Sequence, residues 1–174
     1  MAVAVSTRRV WTYANLEDLP DDGLVYDILG GELVVRNAPD WNHAEILTDM
    51  LLLLSRATEA GFGRMYTTST AVALDYPLRG EQAQDVPHPD LFFVRQERLG
   101  MHGDRGFHGV PDLVIEVLSR STQGDHRPGG RWWDAYARNG VPHYWHADPR
   151  ARTIRQFMLN GEPYVGGTYD EPVT

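Results

Sequence analysis

Cysteine is absent from all 174 residues. That excludes disulfides, thiolate metal sites and cysteine nucleophiles together, and it suits the reducing cytoplasm in which the chain is expected to reside. Lysine is absent as well. All 16 basic residues are arginine, so no chemistry that requires a lysine amine is open to this chain. Long apolar runs are also missing. Even Met50 to Leu54 falls far short of the roughly 20 residues of a bilayer-spanning helix, which predicts a soluble protein with no membrane partner. The opening MAVAVSTRRVW has its apolar run before its arginines, the reverse of a secretory signal. No repeat, low-complexity tract or long linker occurs, and the length suits one domain over residues 1–174.

What is present suffices for a packed core: 42% hydrophobic residues, with eight Tyr, five Trp and five Phe. The formal net charge of −8 runs against a generic nucleic-acid binder, which presents a basic stripe. It is compatible with a nuclease, since a metal site needs carboxylates and a homodimer can gather basic loops.

Local patterns predict an α/β order with a mixed sheet. LVYDIL, Gly30-Gly31 and ELVVR read as a β-hairpin. Asn42 is expected to cap a helix running to about Ala60, with Ile46, Leu47, Met50, Leu51 and Leu54 at a 3.6-residue period and Gly61 as its stop. Met65 to Leu74 reads as one strand, Tyr76 to Pro87 as a polar loop, LFFV as a short strand and Gly100 to Gly109 as a loop. LVIEVLS is a strand buried on both faces. A helix over Arg131 to Asn139 precedes two strands that turn at Asp148-Pro149-Arg150, and the tail is a weak edge strand.

The sharpest chemical feature is Glu116, a carboxylate inside LVIEVLS, where desolvation costs several kcal/mol unless something pairs with it. Asp90 stands at the mouth of LFFV. If the two strands are neighbours, these carboxylates can converge on Mg²⁺ or Mn²⁺, which prefer hard oxygen ligands. Otherwise Glu116 pairs with an arginine and Asp90 and Asp112 merely begin strands. Among the histidines, His143 and His146 lie three apart on a strand and face opposite ways. His88 could share a face with Asp90, His43 reads as a helix-start residue, and His102, His108 and His126 read as exposed loop residues. Trp132, Trp133 and Trp145 read as core rather than as base-stacking platforms. Ser119, Ser121 and Thr122 read as turn residues, and no partner at triad spacing supports a serine nucleophile.

LEDLPDDGLVYDILGGELVV, PHPDLFFV, PDLVIEVLSRST and DAYARNGVPHYWHADP, in that order and spacing, resemble the Uma-two family of restriction-endonuclease-like proteins, from about Trp11 to Arg155. The resemblance implies a PD-(D/E)XK nuclease fold, with a central mixed sheet flanked by helices and an N-terminal hairpin. It implies that Asp90 and Glu116 are the two acids of the motif, that the Val117 carbonyl is a further ligand for Mg²⁺ or Mn²⁺, that Glu32 faces the site, and that His43 can face it from the helix start. The motif lysine would fall at Leu118 or, from the following helix, at Trp132; neither position holds one. Arg131 is adjacent and can supply charge but not a base. Asp125 matches an upstream acid of the family but lies three residues farther out, with Arg127-Pro128-Gly129-Gly130 between.

Three functions remain open from the sequence. One is a metal-dependent endonuclease acting on nucleic acid, DNA above all, weakened by the missing lysine. The second is a catalytically silent nuclease fold that binds nucleic acid or a protein partner. The third is a structural or regulatory protein that uses the fold without the site.

Overall fold

Two glycines make the first turn. Gly30 and Gly31 both have positive φ, 60° and 77°, as the tight turn between right-twisted strands requires. The turn joins β1 (Val25–Leu29) to β2 (Glu32–Arg36), antiparallel, with Asp27 opposite Val34. The structure, a computed structural model, describes residues 9–37, 41–67, 69–119, 122–161 and 164–169. The first eight residues and Ser121, both considered above, lie outside that set.

Helix α1 (Trp41–Glu59) follows. Asn42 stands in its first turn and not at the cap, because the helix already includes Trp41. MYTTSTAVAL is not one strand. Its first half belongs to β3 (Gly63–Thr67) and its second to β4 (Ala71–Ala73), which pair in different sheets on either side of a turn closed by Thr70 N–H donating to the Thr67 carbonyl, 3.1 Å. The expected loop after it is also more ordered than its polarity suggests. Asp75 accepts from the amides of Gln84 and Asp85 and Pro77 opens a helical turn, α2 (Tyr76–Arg79).

LFFV lies within β5 (Leu91–Arg95). The glycine-rich loop beyond it contains a small hairpin, β6 (His102–Gly103) and β7 (Gly106–His108), drawn onto the protein by buried Phe107. LVIEV forms β8 (Leu113–Val117), and α3 (Arg131–Arg138) precedes β9 (His143–Asp148), β10 (Thr153–Leu159) and β11 (Tyr164–Tyr169).

The main sheet has the order β11-β10-β9-β8-β5-β3. Only β8 and β9 pair in parallel, so the sheet is mixed as expected. Its period-two side chains separate two cores. Phe92, Val114 and Tyr144 pack with Trp132, Trp133 and Tyr136 of α3 on one face. Leu91 and Ile115 pack with Met50 of α1 on the other. No described helix is long and apolar enough to cross a membrane.

Candidate active site

The register of the central strands decides where the two acids meet. Leu91 lies opposite Ile115 and Phe92 opposite Val114. Continuing that register by one residue sets Asp90 opposite Glu116, on the same face of the sheet. Both are buried, at 2% and 1% exposure, and both line a cleft of about 770 Å³ between the hairpin, the start of α1 and the start of α3.

Each acid is held. The Val117 amide donates to Asp90 Oδ2 at 2.8 Å, and His43 Nε2 donates to the same oxygen at 2.9 Å. The Tyr136 hydroxyl donates to Glu116 Oε1 at 2.6 Å. Among the described residues, Asp90 Oδ1 is buried with no hydrogen-bond partner. Burial first, and then the negative charge of Asp90, push the Glu116 carboxyl well above the usual range; Arg36 and the Tyr136 bond oppose that rise without cancelling it. Two acids brought together out of water therefore resist being charged together.

The cleft also receives a cation from the hairpin. Asp27 and Arg36 are diagonal neighbours across β1 and β2. Arg36 Nε donates to Asp27 Oδ2 at 2.6 Å, and its Nη2 donates to the His88 carbonyl at 2.8 Å. Asp27 is fully buried and also accepts from the His88 amide at 2.6 Å. Burial alone would raise the Asp27 pKa, but the His88 hydrogen bond and the Arg36 charge outweigh it and lower it. Burial likewise works against the charge on Arg36. Asp27 and then Glu116 more than compensate, so its proton is held more firmly than usual. The guanidinium carbon lies 5.4 Å from the centre of the Trp132 ring, within cation–π range.

The loop before α3 closes the cleft. The Asp125 carbonyl accepts from the amides of Trp132 and Trp133, capping α3. A Cβ on Gly130 would fall 2.5 Å from the Asp125 backbone, so this close approach needs glycine. Here the three extra residues are absorbed. Asp125 then faces Arg131, in a two-pronged pair of 3.0 and 2.8 Å.

The expected site residues fare unequally in position. Asp90, Glu116, Val117 and Arg131 all line the cleft. Arg131, however, lies half exposed at the rim with its charge engaged by Asp125. Glu32 is not among the cleft-lining residues. It begins β2 beside the glycine turn and is exposed, roughly four strand residues (~13 Å) from Arg36; its charge acts on Arg131. His88 serves Asp27 instead of Asp90. His126 is not an exposed loop residue: it is buried, stacked on Trp132 at 5.0 Å and bonded to the Tyr144 hydroxyl. His143 is exposed and His146 buried, as their spacing implies. Trp132 and Trp133 are core.

Sequence reasoning missed Arg36 and Asp27, and it brought His43 toward the site only through the family resemblance, against its plain reading as a helix-start residue. Asp27 carried a readable sign, since it interrupts an apolar strand as Glu116 does. The hairpin register then selects Arg36 as its diagonal partner.

Hard oxygen donors suit Mg²⁺ or Mn²⁺. Among the described residues no cluster of three or more His, Cys, Asp and Glu side chains forms a ready-made cage. Mg²⁺ commonly binds through only one or two carboxylates, with water and phosphate completing its shell. The unpartnered Asp90 oxygen beside Glu116 fits that ion.

Residues 13–173 match the family described as Uma2, "Putative restriction endonuclease". The fold is similar to the crystal structure of a putative nuclease belonging to DUF820 from Anabaena variabilis ATCC 29413. The TM-score is 0.70 at 17% identity, over 94% of this chain and 87% of that one. No curated protein matches the sequence.

Proposed function

The chain belongs to the Uma2 family of putative restriction endonucleases, and from that footing we propose that it hydrolyses phosphodiester bonds of nucleic acid, DNA first, with Mg²⁺ or Mn²⁺ held by Asp90 and Glu116. The observation that carries this reading is the pair itself: two buried acids face one cleft across β5 and β8, and one Asp90 oxygen has no partner among the described residues. By the family resemblance the Val117 carbonyl completes the protein's share, in a PD-(D/E)XK arrangement. A divalent ion there supplies charge neutralisation at phosphorus and acidifies water.

The side chains supply position and charge. His43 and the Val117 amide fix Asp90, and Tyr136 fixes Glu116. Arg36 takes over the electrostatic half of the lysine's task. It is locked by Asp27 before any substrate arrives, which is the pre-organisation that makes such a charge effective. Arg150, exposed on the cleft lining, is suited to a phosphate of the backbone. No side chain offers a neutral amine, so weak cleavage is expected.

The test is cleavage of duplex and single-stranded DNA and of RNA, with Mg²⁺ or Mn²⁺ against EDTA. Weak, divalent-dependent cleavage supports the reading. Absence of both cleavage and ion binding would favour the silent, binding-only alternative. The buried Trp132 indole at a lysine position speaks for that alternative.

Arg36 and Arg131 can be told apart in the same assay. Arg36→Met is made together with Asp27→Asn, so that no buried charge is stranded. It is expected to lower the rate by about 10²–10³ with ion affinity retained. Arg131→Ala is expected to cost less than about tenfold, because its charge is exposed and already engaged. Equal losses would remove Arg36 from its assigned role.

A further inference from the structure

The outer face of α1 carries an ordered, exposed pattern. Asp49, Leu52, Leu53 and Arg56 are all exposed, the leucines at 65% and 62%. At 100° per residue they fall within an arc of about 100°, one continuous ridge. Among the described residues neither Asp49 nor Arg56 has an ion pair, and at seven residues apart, about 10 Å along the axis, they cannot reach each other. The order acid, Leu, Leu, base is self-complementary on reversal. A two-fold axis between Leu52 and Leu53 would set each Asp49 against the other copy's Arg56 and each Leu52 against the other copy's Leu53.

We propose that α1 is a homodimer interface, in which two copies of this chain pack antiparallel through the Asp49–Leu52–Leu53–Arg56 ridge. An isologous contact requires one patch to complement itself under a two-fold, and this ridge does so in charge and in its central leucine pair. Exposed leucines bounded by charges are the ordinary make-up of an interface core and rim. Beside the ridge runs a groove of about 610 Å³, formed with the segment from Ala147 to Ile154, which gives the second helix's side chains somewhere to enter. Pro149 lines both this groove and the cleft. Dimerisation would therefore fix the spacing of two clefts.

The experiment is sedimentation equilibrium of the full chain and of two charge reversals, Asp49→Arg and Arg56→Asp. Both sites are exposed, so folding is not at issue, and circular dichroism confirms it. Wild type is expected to dimerise. Each reversal alone should weaken the dimer at least about tenfold, because symmetry doubles the like-charge contact. An equimolar mixture of the two variants should recover a one-to-one heterodimer, since the reversed charges of the two chains then face each other with opposite sign. Leu52→Asp should also give monomer. A wild type that stays monomeric, a dimer indifferent to the reversals, or a mixture that does not associate would each overturn the proposal.

Discussion

Glu116→Gln is expected to raise the melting temperature of the metal-free protein while abolishing its response to Mg²⁺ or Mn²⁺. Gln keeps the acceptor that Tyr136 engages at 2.6 Å and removes a charge that burial and Asp90 make unfavourable. Relief of that desolvation is worth about 1–3 kcal/mol, or some 2–10 °C in a domain of this size. The effect has a definite sign with pH. A carboxyl whose folded-state pKa is raised contributes its stability fully below the ordinary value near 4.5 and loses it as pH rises toward the folded value. The advantage of Gln therefore grows from acid to neutral pH. Wild type should gain about 2.7 kcal/mol from an ion present at a hundredfold excess over its Kd. Glu116→Gln should gain almost nothing, and its cleavage should fall by at least about 10²–10³. Thermal melts with EDTA and with Mg²⁺ read both effects. Unfolding of the variant, or an undiminished response to the ion, would return Glu116 to a structural role.

The second large effect is acid lability between pH 6.5 and 4. Burial lowers the His126 pKa to about 4 and that of His146 to about 3, with His126 adding to the depression of the latter. Their rings lie 5.9 Å apart, and His146 Nε2 is buried with no hydrogen-bond partner among the described residues. For a group with a depressed folded-state pKa, the stability is complete above the unfolded value of 6.5 and lost as pH falls through the window. At pH 5 each histidine has cost about 2 kcal/mol, together a large share of a marginal total. Glu116 opposes this trend in the wild type, so urea unfolding of Glu116→Gln from pH 7.5 to 4.5 should show the histidine effect alone, with a midpoint that drops steeply below 6.5. His146→Phe, in a site walled by Tyr144, Trp133 and Phe157, should flatten the drop by about half. A Glu116→Gln curve flat to pH 4.5 would mean that water reaches both rings.

Much of the fold was legible because its signals are local. Gly30-Gly31, the LVIEV run and the stop at Gly61 each act within a few residues. The segments misread were those whose partners are distant. MYTTSTAVAL divides because β3 finds β5 while β4 finds β7, and no local pattern records that choice. His126 reads as a loop residue until Gly130 lets its loop fold onto α3. The site divides the same way. Asp90 and Glu116 were visible as acids against apolar strands. His43 reaches Asp90 across 47 positions of chain and Arg36 reaches the His88 carbonyl across 52. Only the assembled hairpin and helix bring them there. Glu32 was expected from the resemblance alone, and the glycine turn carries it to the far end of β2.

The arginines that line the cleft have one more consequence, for the alkaline limb of a rate–pH profile. In a site that depends on a lysine, loss of the ammonium proton limits the rate as pH rises toward 10. Arg36 and Arg131 hold their protons more firmly than free arginine, and the Tyr136 hydroxyl is pushed up by burial and then by Glu116. Each of these groups therefore keeps its proton to higher pH than its free counterpart. Whatever acidic limb the carboxylates impose, the profile above neutrality should run on as a plateau.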